Sequence, residues 1–188
     1  MKNLTEKEKM ILGLPYYPTK DETLENDRNK CKILCAKYNS LCYDDDSKMD
    51  LLKQILGKTQ EKVIIEPYFW CDYGYNIEVG NDFYSNHNLT ILDCAKVKFG
   101  DYVLVGPNCS FYTAVHPLNK KERQDLLEYA FPITIEDNVW IGGNTTVLPN
   151  VKIGKNTVIG AGSVVTKDIP ANVVAVGNPC KVIKEIKN

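Results

Sequence analysis

A chain of 188 residues is long enough for one domain with a sizeable core. Its net charge of −1, with 44% apolar and 25% charged residues, describes an ordinary globular protein and gives no reason to expect nucleic acid or an anionic membrane as a partner. No apolar run approaches the ~20 residues of a membrane span, and MKNLTEKEKM lacks a secretory apolar region, so a cytoplasmic location is expected.

Thr5 followed by Glu8 forms a capping-box pattern and predicts a short helix through about Leu12. Gly13 and Pro15 break it, and Tyr16-Tyr17-Pro18 makes an aromatic loop. A second helix is predicted from near Asp21 or Thr23, with Leu24, Cys31, Leu34, Cys35 and Tyr38 on one face. Asn39 to Asp46 reads as a connector. A third helix, near Ser47 to Leu56, presents Leu51, Leu52 and Ile55 and stops at Gly57. Residues 1–57 thus read as a helical cap, and 58–188 as the β unit whose first edge it covers. The seven cysteines include no CxxC pair, and they read as buried free thiols of a reducing compartment.

From Val63 the texture becomes β-branched and aromatic. Val79, Ser85 and Ile91 begin a six-residue series; its phase slips by two around Asp93 to Val97 and resumes at Phe99, Val105 and Phe111. The next 20 residues or so, TAVHPLNKKERQDLLEYAFP, are polar and carry no repeat, yet Phe111 and Ile135 stand a whole number of sixes apart. A loop that leaves and rejoins a pattern in phase points to function. Ile135, Ile141, Val147, Ile153, Ile159 and Val165 then recur every six residues without a miss. Turn formers sit between them: Asp137-Asn138, Gly143-Asn144, Pro149-Asn150, Lys155-Asn156, Ala161-Gly162 and Lys167-Asp168. A period of six fits neither helix nor simple strand alternation. It fits a short strand and a turn, three of which close one triangular coil of a parallel β-helix. After Ile169-Pro170 come a last strand, a Gly-Asn-Pro turn and a basic tail.

On these residues the chain resembles the hexapeptide-repeat acyltransferases, and within them the maltose and galactoside type of sugar O-acetyltransferase. EKEKMILGLPYYPTKDETL is similar to that group's N-terminal segment. FWCDYGYNIEVG, FYSNHNLTILDC, YTAVHP, FPITIEDNVWIGG and VIGAGSVVTKDIPANVVAVGNPCKVIKEI follow its β-helix motifs in order. The resemblance implies a mainly β, left-handed parallel β-helix with a small helical cap and a long inserted loop. The handedness comes from the family, since parallel crossovers are otherwise right-handed. It further implies transfer of acetyl from acetyl-CoA to a sugar hydroxyl, no catalytic metal, and a homotrimer with sites between subunits.

The resemblance also assigns residues. His116, which by itself reads as a loop histidine before proline, falls where the family has its general base; an imidazole of pKa ~6.5 suits that work. Asn86 falls beside the reacting centre, where its amide can orient the histidine or bind an oxyanion. Asp72, Tyr84, Asp93 and Glu128 are the acceptor-binding candidates. Trp140 and Gly143 fall along the coenzyme arm, Ala161 and Thr166 offer backbone contacts, and Lys167, Lys181 and Lys184 would meet its phosphates, without arginine's bidentate fork. Two departures turn the acceptor from galactosides toward maltose or glucose, or toward an unassigned hydroxyl acceptor. The galactoside branch has an acid after the Asp93 position, where Cys94 stands here, and an N-terminal acid where Pro18 falls, with Asp21 nearby.

Other readings remain at this stage. An acetyltransferase on the same coil can act on an amino sugar, serine or an antibiotic hydroxyl. A coil that has lost its chemistry can serve as a binding module. The metal-dependent carbonic anhydrases of this coil need three histidine ligands, and the chain has only His87 and His116.

Overall fold

A computed structural model describes residues 4–187. Three helices precede the β region: α1 (Glu6–Ile11), α2 (Glu22–Asn39) and α3 (Lys48–Ile55). The predicted capping box opens α1, with Thr5 Oγ1 accepting from the Glu8 amide and the Glu8 carboxylate accepting from the Thr5 amide. Asp21 caps α2 by accepting from the Thr23 and Leu24 amides. This helix runs through Asn39, so the expected connector begins one residue later.

The strands form three parallel faces. The first stacks Val63–Ile65, Phe83–Ser85, Leu104–Val105, Trp140–Ile141, Val158–Ile159 and Val173–Val176. The second stacks Phe69–Cys71, Leu89–Leu92, Ser110–Tyr112, Thr146–Val147 and Val164–Val165. The third stacks Ile77–Glu78, Val97–Phe99, Ile133–Ile135 and Lys152–Ile153. The chain visits the faces in turn, giving the parallel β-helix that the period of six predicts. In the later coils partners lie eighteen residues apart, as in Trp140 with Val158, Thr146 with Val164 and Thr134 with Lys152.

The turn chemistry follows the sequence closely. Asn138, Asn144, Asn150 and Asn156 hold φ of 58°, 57°, 63° and 57°, and Gly162 holds 72°. Asparagine and glycine tolerate this left-handed region where β-branched residues do not. Inside the coil, Ile135, Ile141, Val147, Ile153, Ile159 and Val165 are fully buried. Burying three such side chains per coil contributes roughly 5–9 kcal/mol. No coil stands alone, and each depends on its neighbours and on the ends being covered.

The helical cap covers the first end. The Asn39 side chain pairs with the open backbone of Phe69, donating to its carbonyl (2.9 Å) and accepting from its amide (2.8 Å). The Tyr38 hydroxyl donates to the Ile65 carbonyl. At the other end the basic tail forms Lys181–Glu185, which pairs antiparallel with Val173–Val176.

The phase slip also has a fuller form than the sequence suggested. The early coils pair at twenty residues, as in Val63 with Phe83, Phe69 with Leu89 and Ile77 with Val97. The two extra residues are absorbed in consecutive coils, between Cys71 and Ile77 and again between Leu92 and Val97, at the turn from second face to third. The predicted loop leaves from this same turn one coil later. It is anchored by an antiparallel pair, Ala114–Val115 with Tyr129–Ala130, and carries a short helix α4 (Lys120–Gln124).

Candidate active site

The candidate residues sort onto two edges of the triangular coil. The first edge follows the first face. There Tyr84 and Asn86, Leu104 to Pro107, Trp140, Gly142 and Gly143, and Val158 to Ala161 line a mostly apolar groove of about 460 Å3. Trp140 lies 55% exposed along it, with no packing duty that would bury the ring. The edge is narrow because its turns stack backbone on backbone. A Cβ on Gly142 would lie 2.5 Å from the Ala161 amide nitrogen, and one on Gly106 2.5 Å from that of Gly143. The Asn86 side-chain oxygen accepts from the His87 amide (2.7 Å), which fixes the orientation of its amide group. Lys181 and Lys184 are exposed on the strand that adds to the first face at its far end.

The second edge follows the second face and carries Asp72, Asp93, the long loop with His116 and Glu128, and finally the exposed Thr166 and Lys167. His116 is exposed at the start of the loop, and its Nε2 lies 3.9 Å from Glu128 Oε1. Glu128 is itself held. Its second oxygen accepts from the Tyr16 hydroxyl at 2.7 Å, and the two backbones pair through Tyr16 N to Glu128 O (3.0 Å) and Glu128 N to Tyr16 O (2.9 Å). Tyr16 is buried, and that burial pushes its phenol far above the ordinary value, so it stays a donor. Cys94 completes the cluster, with its Sγ 3.7 Å from Asp72 Oδ2. Burial raises the Asp72 carboxyl above its usual range, while the charges of Arg28 and Lys32 oppose the rise.

Asp93 is not presented to an acceptor in this way. It is fully buried, and its Oδ1 accepts from the amides of Asp72 (3.0 Å) and Tyr73 (2.9 Å), with Oδ2 3.4 Å from the amide of Asn76. Its own carbonyl accepts from the Asn76 side chain (2.7 Å). This carboxylate pins the wide turn of the coil below, and desolvation pushes its pKa up to about 7. Among the N-terminal acids, Asp21 is likewise occupied, accepting from the Lys7 amide of α1 and from the Thr23 and Leu24 amides at the start of α2.

Sequence reasoning did not single out Tyr16, whose contact with Glu128 spans more than a hundred residues; only the aromatic cluster at 16–17 hinted at it. Nor did it anticipate that His116 and Asn86 would stand on different edges of one chain. Among the described residues no helix is long and apolar enough to cross a membrane.

Comparison with known proteins bears on this arrangement. The model of the maltose acetyltransferase hexapeptide capping motif matches residues 9–60, and that of the bacterial transferase hexapeptide (six repeats) matches residues 132–167. The galactoside O-acetyltransferase of Escherichia coli K12 is 44% identical over 168 residues, covering 89% of this chain and 83% of that protein. A maltose O-acetyltransferase from Clostridium difficile 630 has a structure similar to this one, with a TM-score of 0.96 at 47% identity over 98% of this chain and 99% of its own. A galactoside acetyltransferase solved in complex with coenzyme A gives 0.94 at 41% identity, over 98% and 92%.

Proposed function

Given that this chain belongs to the hexapeptide-repeat acetyltransferases of the maltose and galactoside O-acetyltransferase type, we propose that it moves an acetyl group from acetyl-CoA to a hydroxyl of a maltose- or glucose-like sugar. The observation that carries the reading is the second-edge cluster: His116 beside a Glu128 that Tyr16 holds in place, next to a partly buried Asp72. A sugar hydroxyl does not ionise near neutral pH, so its attack on a thioester needs a base at the oxygen. His116 takes that proton as the bond to the acetyl carbon forms, and returns it to the departing thiolate. Glu128 orients the ring and stabilises the imidazolium. Asp72 and Glu128 present acceptors for neighbouring hydroxyls; Tyr84 gives a ring face.

The groove on the first edge suits the other substrate. It is long, apolar and open, with an exposed indole to pack a pantetheine chain and glycines that let the chain approach the backbone. Asn86 lies at its margin, where a side-chain amide can donate to the oxyanion of the tetrahedral intermediate. Lys181 and Lys184 on this edge, and Lys167 on the other, supply the cations for the nucleotide phosphates.

One chain keeps base and groove on separate edges, so we infer a homotrimer in which the second edge of one subunit faces the first edge of the next. The direct transfer then occurs in a ternary complex, with each substrate entering from its own subunit's side. The test is mixing. His116→Ala and Asn86→Ala homotrimers should each lose thiol release from acetyl-CoA with maltose or glucose by a hundredfold or more, on the order expected for a lost base or oxyanion donor. Mixed trimers refolded from both should regain activity, because some interfaces then hold both intact residues. No regain sinks the shared site, and release only with an amino sugar, serine or antibiotic hydroxyl moves the acceptor to that class.

A further inference from the structure

The seam between cap and first coil holds a cluster that the transfer reaction does not use. Cys31 and Cys35 lie one helical turn apart on α2, and Cys71 ends the strand Phe69–Cys71 against which that helix packs. All three are free and buried. The Cys71 Sγ lies 3.4 Å from that of Cys31 and 3.7 Å from that of Cys35, and the three sulfurs all fall within 4.8 Å of one another. We propose that Cys31, Cys35 and Cys71 form a structural site for a thiophilic divalent cation, with zinc as the fitting ion.

Three lines support this. The first is dimension. A tetrahedral zinc with bonds of about 2.3 Å sets its sulfurs about 3.8 Å apart, close to the separations of this trio. The second is an unfinished polar surface beside it. A hollow of about 100 Å3 is lined by Cys31, Asp27, Tyr73 and Tyr75. Tyr73 is 4% exposed, yet neither its hydroxyl nor that of Tyr75 has a hydrogen-bond partner. A water completing a three-sulfur coordination shell would occupy such a hollow and donate to a phenol oxygen. The third is charge. Lys30 lines the hollow and Lys7 pairs with Asp27 at 2.6 Å, so cations stand beside the site to meet the surplus negative charge of three thiolates around one dication. On binding, each thiol gives its proton to solvent as its sulfur coordinates, so the ion, three thiolates and a water carry a net −1. The ion would tie α2 to the first coil, at the end that most needs covering. It takes no part in proton transfer at His116.

The experiment uses the full chain, purified under reducing conditions without chelator and then titrated with Co2+ as the probe. Saturation at one equivalent per chain is expected, with thiolate-to-cobalt charge-transfer absorption and the intense visible bands of a tetrahedral ion. Zn2+ should displace the cobalt and raise the Tm of the wild-type protein. Cys42→Ser and Cys180→Ser, which lie outside the cluster, should keep both effects; Cys35→Ser and Cys71→Ser should lose them. Should a serine variant fail to fold, Cys35→Ala leaves the seam apolar and reads the same loss, and circular dichroism reports the fold of each. Absence of the bands in folded wild-type protein overturns the site, as does their survival in folded Cys35→Ala, or a thiol count showing the trio oxidised to a disulfide in the reduced preparation.

Discussion

The Asp93 carboxylate offers the sharpest test of how the wide turns are built. Its Oδ1 accepts two backbone amides at 3.0 and 2.9 Å, and its Oδ2 sits at a looser 3.4 Å from a third. Replacement by asparagine preserves the two good bonds and turns a donor toward the poor one, at a cost of about 1–3 kcal/mol. Burial pushes the native pKa up to about 7, from an unfolded value near 3.8. The folded chain therefore holds this proton more tightly than the unfolded one. That contribution is complete below about pH 4 and is lost as pH rises through 7, amounting in full to roughly 4 kcal/mol. Between about pH 5 and pH 8 the wild-type protein should lose roughly 2–3 kcal/mol from this group alone, and Asp93→Asn none. Urea unfolding of both proteins at the two pH values, at one fixed protein concentration, isolates the difference from all other titrations. Asp93→Asn should be the less stable at the lower pH and should match or exceed wild type at the higher. A deficit that instead grows with pH would mean that the amides outweigh burial and hold the carboxylate low, and the account of this turn would be wrong.

Further outcomes follow from the same geometry. Tyr16→Phe removes the hydroxyl that holds Glu128; kcat/KM should fall about tenfold, the worth of one charge-assisted hydrogen bond, and stability by about 1–3 kcal/mol as the carboxylate loses its buried donor, and unaltered kinetics would refute that holding role. Trp140→Ala should raise KM for acetyl-CoA about tenfold with kcat little changed, as expected when an exposed ring contributes only binding; steady-state kinetics with varied acetyl-CoA decide it. Gly142→Ala drives a Cβ to 2.5 Å from the Ala161 nitrogen, and the coil should lose about 1–3 kcal/mol in urea unfolding. Asn150, at φ 63°, should accept glycine within a few tenths of a kcal/mol but lose about 1–2 kcal/mol on replacement by valine.

What the sequence made legible is what recurs. The six-residue series needs only local contacts and stacking eighteen residues away, so each aliphatic position and each turn asparagine is readable by counting. The wide turns were half readable. One slip showed between Ile91 and Phe99, but its twin between Cys71 and Ile77 precedes the start of the visible series. Nothing local marks Tyr16 as the partner of Glu128, or Cys71 as the neighbour of Cys31, because those contacts are made by the cap folding back across the chain. His116 by itself was only a loop histidine, and its assignment rested on resemblance. Its edge, however, is contained in the count. Asn86 follows Ser85 on the first face, whereas His116 follows Phe111 on the second, and the repeat that fixes both also keeps them apart. A period can place two residues on two edges of one prism. In the proposed trimer, whether those edges meet is decided by the surface of another copy, through exposed side chains such as Trp140 and Leu104 that the repeat leaves unconstrained. The chemistry is therefore least legible where it depends on residues the repeat does not need.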